Sequence, residues 1–200
     1  MRHQTPLILA STSAYRRELL TRLQLPFEAI APDVDETQQP GEAPAALAAR
    51  LALAKAHAVA ARHPQAVVIG SDQVAELNGG ALGKPGGHAA AVQQLRAMSG
   101  QRVLFHTAVA VVCRARDIAV SDMACVRVTF RTLSDHDIEH YLHTDRPYDC
   151  AGSAKVESLG IALLQSVESD DPTALIGLPL IRTCTLLRQA GVDPLGGPTP

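Results

Sequence analysis

A βα unit near the start of the chain constrains its fold more than any other feature. The apolar run Leu7–Ala10 predicts a short buried strand, and the hydroxyl-rich turn Ser11–Ser13 joins it to a helix that continues to Leu20. Unpaired N–H groups and the helix dipole favour an anion at such a helix start, and serine hydroxyls add donors. Arg16 and Arg17 lie one turn into the helix, where an anion would pair with them. The turn therefore predicts an anion site, unless its last serine only caps the helix and both arginines are solvated.

The composition restricts the class of protein. With 200 residues, 46% hydrophobic and 19% charged, the chain can bury a core as one domain or two small lobes. The net charge of −2 gives no electrostatic basis for binding nucleic acid or a membrane surface. No apolar run has the length of a membrane span, and the first strand begins too early for us to expect a signal peptide. The cysteines lack CxxC spacing, which predicts reduced thiols in a cytoplasmic protein; they are Cys113, Cys125, Cys150 and Cys184.

The chain uses lysine sparingly. Of its 18 basic residues only three are lysines, namely Lys55, Lys84 and Lys155. Arginine therefore supplies positive charge at most positions, and a lysine indicates a place that needs a compact point charge. Phosphate groups are bound by such charges. The three lysines are thus candidates for a phosphate site.

Two apolar segments predict the centre of the fold. Pro44 begins an alanine-rich helix that we expect to continue to about His63, with Lys55 at the flank of its apolar face. A lysine there usually extends to water, but it could also be held at the rim of a cleft. The segment Ala66–Gln73 predicts a buried strand that ends in a carboxylate, Asp72. Because open α/β sheets place their sites at the carboxyl ends of strands, Asp72 is a candidate catalytic residue.

A predicted hairpin follows this strand. Asn78-Gly79 is typical of a two-residue turn, which would pair Leu77 with Gly80. If the two strands of the hairpin stay paired in this register as far as Lys84, then Lys84 lies beside Asp72. An aspartate–lysine pair is compatible equally with catalysis and with a simple salt bridge.

Two loops combine charge with small residues. Three carboxylates lie within Asp33–Glu36; a divalent cation would neutralise them, although a solvated acidic turn is the commoner outcome. The loop Tyr148–Glu157 holds Gly152 and Ser153 shortly before Lys155, which is weak evidence for phosphate binding. We interpret the eight histidines as surface or ordinary core residues without a metal-binding role.

The remaining periodicity predicts further strands and helices. A second strand follows the first helix, and a long antiparallel pair lies near the middle of the chain. Three helices complete the pattern, one of them capped by a serine with an aspartate at the capping-box position. The predicted strands are Leu25–Ile30, Val103–Cys113 and Ala119–Arg131, and the predicted helices are His88–Met98, Ser134–His143 and Leu178–Gln189.

Several short motifs, in one order along the chain, resemble the Maf family of nucleoside triphosphate pyrophosphatases. They are LILASTSxxRREL, DVDET, LAxxKAxAVA, VVIGSDQV, GKP, AGSxKVE and IGLPL. The resemblance implies an α/β fold, a mixed sheet with flanking helices and two lobes around a central cleft. It also implies one domain over residues 1–191 with a flexible tail over 192–200, and a possible homodimer. The implied reaction converts a nucleoside triphosphate to the monophosphate and diphosphate with a divalent cation, Mg²⁺, Mn²⁺ or Co²⁺.

The resemblance also implies roles for individual residues. Asp72 is similar to the family's proton acceptor, and Glu36, Lys55 and Lys84 match its other catalytic positions. Glu36 and Asp72 are the expected metal ligands. The expected phosphate-binding residues are Ser11, Ser13, Arg16 and Lys155.

Within the family, the SDQ and GSxKxE motifs resemble the branch that acts on 7-methyl-GTP, in which Tyr15, Gln73 and Glu157 would set specificity. A carboxylate such as Glu157 can accept both N1–H and N2–H₂ of guanine, and Tyr15 could stack on the cationic methylated base. Two alternatives stay open: a dTTP/UTP pyrophosphatase of the same family, and a nucleotide-binding regulator of cell division without catalysis.

Overall fold

A computed structural model describes residues 5–196 and contains one seven-stranded mixed sheet flanked by five helices, which confirms the predicted fold class. The strands are β1 Leu7–Ala10, β2 Glu28–Ile30, β3 Val67–Leu77, β4 Gly80–Leu82, β5 Arg102–Cys113, β6 Ile118–Phe130 and β7 Leu164–Glu168. The helices are α1 Ala14–Thr21, α2 Pro44–Arg62, α3 His88–Met98, α4 Asp135–Asp145 and α5 Leu180–Gln189. The predicted first and last residues differ from these by at most four positions, mainly at the end of β3 and the start of β2.

The central strand β3 has a gap along one of its edges. Its first four residues pair with the parallel strand β1, up to the pair Ala10–Gly70. Pairing on that edge resumes with the antiparallel strand β4 at the pair Ala75–Leu82. Among the residues that the structure describes, Ser71–Val74 pair only with β5, on the opposite edge. The gap leaves one side of β3 accessible in the middle of the sheet.

Helix α2 covers one face of the sheet beside this gap. Its small side chains, with Ala52 and Ala56 fully buried, let its backbone approach β3 closely. The closest approach is at Gly70, where a Cβ atom would lie 2.6 Å from the Ala56 amide nitrogen. The close contact carries Lys55 of α2 to the gap, and its side chain is buried. Of the two sequence-based interpretations of this lysine, the structure supports the one in which it is held at a cleft.

The opposite face carries two apolar cores separated by polar side chains. One core lies under α1 and α5, and the other lies under α3 and α4. Between them, the buried Ser71 and Thr107 donate to the carbonyls of Gly177 and Ala174, at 3.1 and 2.9 Å. Gln73 also donates to the carbonyl of Ala174, at 3.0 Å. These bonds fix the segment before α5 across the sheet, at the level of the gap.

Two local predictions need correction, although the turn itself was predicted well. Leu77 pairs with Gly80 as expected, but the β3–β4 pairing ends before Lys84, and no ion pair joins Lys84 to Asp72 within residues 5–196. Asp72 lies in the middle of an eleven-residue strand and not at its end. It is nonetheless just past the end of β1, its parallel neighbour, because pairing with β1 stops at Gly70.

No helix in the described part of the chain is long and apolar enough to cross a membrane. The four cysteines are free thiols, as predicted. The predicted tail over 192–200 falls partly outside the described residues, and within them Val192 packs against the core under α5.

Candidate active site

The gap in the sheet opens into a cleft of about 780 Å³, a volume typical of a small-molecule site. Its walls come from seven parts of the chain: the β1–α1 turn, the acidic loop at Glu36, α2, the gap of β3, the end of the β4 hairpin, the loop before Glu157 and residues 175–177. Most of the predicted site residues lie in these walls: Ser11, Ser13, Tyr15, Arg16, Glu36, Lys55, Asp72, Gln73, Lys84 and Glu157. The structure therefore brings together residues from across most of the sequence.

Lys55 joins two carboxylates at the centre of the cleft. Its Nζ atom lies 2.7 Å from Oδ1 of Asp72 and 2.7 Å from Oε1 of Glu36. Lys55 and Asp72 are 5% and 7% exposed, so this pair is held away from solvent. Removing Lys55 would leave the buried Asp72 charge without compensation, which is strongly unfavourable, whereas Lys55 would keep Glu36 as a partner if Asp72 were replaced. The lysine that pairs with Asp72 is thus Lys55 of α2, and not Lys84 as the hairpin register suggested.

The positive charges of the cleft keep Glu36 ionised. Burial alone would raise the pKa of Glu36, but the hydrogen bond from Lys55 and the charges of Lys55, Lys84 and Arg16 outweigh it, so the pKa falls below its ordinary value. Lys84 is exposed in the wall of the cleft and acts on Glu36 through its charge alone. Glu36 therefore carries a negative charge across the neutral pH range.

The β1–α1 turn presents hydroxyl and N–H groups to the cleft. Ser11 Oγ accepts from the Ser13 amide at 3.1 Å, and Ser13 Oγ caps α1 by accepting from the Arg16 amide at 3.4 Å. Arg16 is not solvated, because its Nε donates to the carbonyl of Gly177 at 2.8 Å and its side chain is partly buried. Burial lowers the pKa of Arg16, while the charges of Asp72 and Glu36 raise it, and a guanidinium stays charged in any case. The turn has the donors that a phosphate requires.

The far end of the cleft has a carboxylate and an aromatic ring. Burial raises the pKa of Glu157, and burial also raises the pKa of the Tyr15 hydroxyl. Gln73 donates its amide hydrogens to Thr107 Oγ1 and to the carbonyls of Ala174 and Leu175, all at 3.0 Å. Its side-chain nitrogen is therefore occupied by the protein.

Lys155 lies beside Tyr15, but its charged group bonds to other protein groups. Its Nζ atom donates to the carbonyl of Asp145 at 3.2 Å and lies 3.7 Å from Oδ1 of Asp149. It does not belong to the cleft wall formed by the described residues, although it interacts with the Tyr15 hydroxyl. Its role in phosphate binding stays a prediction.

A sequence model of the Maf-like protein family matches residues 6–190, and the cleft is built from the motifs that suggested the resemblance. The chain belongs to the Maf family. A relative from Polaromonas sp. is 67% identical over 94% of this chain and 85% of its own length. Relatives from Albidiferax ferrireducens and Bordetella parapertussis are 63% and 60% identical, over 96% of this chain and 97% and 95% of their own lengths. All three are named 7-methyl-GTP pyrophosphatase.

Pyrophosphatases of this kind generally use a divalent cation, and the Maf cleft has suitable donors. Carboxylate oxygens are the ligands that Mg²⁺ and Mn²⁺ prefer. Lys55 occupies one oxygen of Asp72 and one of Glu36, and within residues 5–196 the other oxygen of each makes no hydrogen bond. Both side chains face the cleft. The donor set therefore fits a hard divalent cation.

Sequence reasoning missed the supports of this Maf cleft. Gly177 accepts from both Arg16 and Ser71, at 2.8 and 3.1 Å, and so joins the β1–α1 turn to β3. Gly177 has a φ of +125°, which favours glycine. The IGLPL motif was recognised, but nothing in a glycine and its neighbours indicates which distant side chains will donate to its carbonyl.

Proposed function

We propose that this protein hydrolyses 7-methyl-GTP to the nucleoside monophosphate and diphosphate, and so removes a modified nucleotide from the cytoplasmic pool. The observation that carries the proposal is the buried Lys55, whose Nζ atom lies 2.7 Å from both Asp72 and Glu36. The cleft around it is rich in hydrogen-bond donors that can bind a phosphate. The names of the close relatives support the choice of substrate. Binding alone would not require a buried, ion-paired carboxylate, which favours catalysis over a purely regulatory role.

Asp72 is our candidate general base. Water would attack the α-phosphorus in line with the departing pyrophosphate, and Asp72 would accept its proton. Lys55 fixes the carboxylate through its bond at 2.7 Å, so the base is oriented before the substrate arrives. Glu36 and Asp72 would hold the divalent cation, which would offset charge on the triphosphate when bound.

Positive groups around this base would bind the phosphates. The hydroxyls of Ser11 and Ser13 and the guanidinium of Arg16 would hold the triphosphate at the start of α1. Lys84 and Lys55 would offset the charge that grows on the leaving pyrophosphate. Because Lys55 is buried and ion-paired, its share of this stabilisation needs little reorganisation of solvent during the reaction.

The carboxylate of Glu157 and the ring of Tyr15 would recognise the base. Glu157 can accept from N1–H and N2–H₂ of guanine together, and hydrogen bonds to an ionised carboxylate are stronger than those to a neutral acceptor. The cationic methylated base would also favour the face of Tyr15. Gln73 would act indirectly, because its amide holds the segment at Ala174 and Leu175 that forms the adjacent wall.

Release of pyrophosphate from 7-methyl-GTP, GTP, UTP and dTTP tests this proposal directly. We expect the fastest turnover with 7-methyl-GTP, and we expect turnover to stop when a chelator removes divalent cations and to return when Mg²⁺ or Mn²⁺ is added. Faster turnover of UTP or dTTP would assign the chain to the other branch of the family. Binding of all four nucleotides without pyrophosphate release would contradict catalysis.

Glu157→Gln tests base recognition separately. The amide keeps the shape of the side chain, but it removes the charge and places a donor beside the donors of guanine. We expect kcat/KM for 7-methyl-GTP to fall about 10-fold to 200-fold, corresponding to roughly 1–3 kcal/mol of lost discrimination. Activity on UTP and dTTP should change little. Equal losses on all four substrates, measured in the same assay, would count against Glu157 as the base-reading residue.

A further inference from the structure

Two histidines and a glutamate meet on the surface between α3 and α4. His88 is the first residue of α3, whereas Glu139 and His143 lie one turn apart on α4. Oε2 of Glu139 is 2.9 Å from Nε2 of His88 and 3.6 Å from Nε2 of His143. The three ligand atoms all lie within 4.8 Å of one another. The interpretation of the histidines as residues without a metal-binding role did not anticipate this cluster.

We propose that His88, Glu139 and His143 form a binding site for a transition-metal dication, with Zn²⁺ as the best fit. Two imidazole nitrogens and one carboxylate are a common set of zinc ligands, and water completes the tetrahedron. Metal–ligand bonds of about 2.0 Å place neighbouring ligand atoms about 3.3 Å apart in such a site. The two separations from Glu139 lie on either side of this value, and all three ligand atoms lie within 4.8 Å, so side-chain rotations would bring them to this spacing.

A tyrosine hydroxyl orients the ring of His88 through the ring nitrogen that faces away from Glu139. Nδ1 of His88 lies 3.0 Å from Oη of Tyr148. A hydrogen bond from Nδ1–H to this hydroxyl leaves the lone pair of Nε2 directed at the metal, as in most zinc-binding histidines. The same Nε2 lies 2.9 Å from Oε2 of Glu139, so a proton that it holds toward this carboxylate would pass to solvent when the metal binds in its place. The remaining side of the site is open to solvent, since the side chain of His143 is 75% exposed.

The proposed site is separate from the cleft but adjacent to two of its walls. Lys84 lies four residues before His88, and the cleft residues Asp149 and Cys150 directly follow Tyr148. A backbone hydrogen bond from Gly86 to the carbonyl of Tyr148, 3.0 Å long, already joins the two segments. A bound metal would restrain both. Nitrogen ligands favour Zn²⁺ over Mg²⁺, so the two sites would select different ions.

Metal binding to the full chain in excess Mg²⁺ tests the proposal. We expect wild type to bind one Zn²⁺ in competition with a chromogenic chelator, and Co²⁺ to give the visible spectrum of a tetrahedral nitrogen–oxygen site. His88→Ala and His143→Ala should each weaken Zn²⁺ binding at least tenfold. The matched control is His140→Ala, since His140 is exposed on the same helix but is not a member of the site; it should bind as wild type does.

Three results would overturn the site: no Zn²⁺ binding by wild type, unchanged affinity in both histidine variants, or a thiolate-to-Co²⁺ charge-transfer band, which would indicate a cysteine site. Hydrogen exchange provides a further readout. We expect exchange of the Gly86 amide to slow when Zn²⁺ is added to wild type and to stay unchanged in His143→Ala. Unchanged exchange in wild type would show that the metal does not restrain the cleft segments.

Discussion

Asp72→Asn is expected to leave the protein folded and to reduce pyrophosphate release about 10²-fold to 10⁴-fold, the usual contribution of a general base. The asparagine has nearly the same shape and its amide oxygen can still accept the hydrogen bond that Lys55 now donates to Oδ1. It cannot accept a proton from water, and it is a poorer ligand for a divalent cation. The measurement is kcat for 7-methyl-GTP, with thermal unfolding recorded on the same sample.

Asp33→Asn is the matched control for this variant. Asp33 belongs to the acidic loop before Glu36, but it is exposed and does not line the cleft. The same chemical change should therefore leave turnover near the wild-type value. Near-normal turnover by folded Asp72→Asn would contradict the mechanism, and the other carboxylate, Glu36, would then become the candidate base.

Gly70→Ala is expected to damage both stability and activity. An alanine Cβ would lie 2.6 Å from the amide nitrogen and 2.9 Å from the Cβ of Ala56, and closer still to the carbonyl oxygen of Ala52. These atoms belong mainly to the backbone of α2, so the whole helix must move away from β3. Overpacking of this kind lowers the free energy of unfolding by about 1–3 kcal/mol or more. The movement would also pull Lys55 away from Asp72, so the surviving folded protein should turn over more slowly.

Chemical denaturation measures the loss in the free energy of unfolding of Gly70→Ala, with Gly80→Ala as the matched control. Gly80 is also a strand glycine, but a Cβ there would meet only the Leu77 carbonyl oxygen, at an ordinary distance of 3.5 Å. Its variant should unfold within about 1 kcal/mol of wild type, allowing for ordinary strand propensities. Equal stability of the two variants would show that α2 can shift without loss, and that Gly70 is not required for its close packing.

Much of the local structure followed from short-range pattern. The apolar run before the Ser11–Ser13 turn, the Asn78-Gly79 hairpin and the capping box at Ser134 each determined an element or a turn within a few residues. Of the three lysines that their scarcity singled out, Lys55 and Lys84 line the cleft and Lys155 does not; their role in phosphate binding stays a prediction. These signals are local because hydrophobic periodicity, turn geometry and capping depend on neighbours in sequence.

The histidine site is an example of a feature that local sequence pattern does not predict. Glu139 and His143 are four residues apart on one helix, and this spacing could have been read from the sequence. His88 lies more than fifty residues earlier, and only the packing of α3 against α4 brings its ring to them. Without the third ligand the pair has no special meaning.

The centre of the cleft was decided by tertiary structure in the same way. From the sequence alone, Asp72 was expected to end its strand and to pair with Lys84 through the hairpin. In the folded protein β3 continues past Asp72, the pairing with β4 stops early, and α2 delivers Lys55 instead. The sequence determined which residues carry the charge, whereas the partner of each was set by the gap between β1 and β4 and by the close approach of α2 at Gly70. Both depend on how far neighbouring strands and a helix extend over one another, which is a balance of packing across the whole sheet and not a property of any short segment.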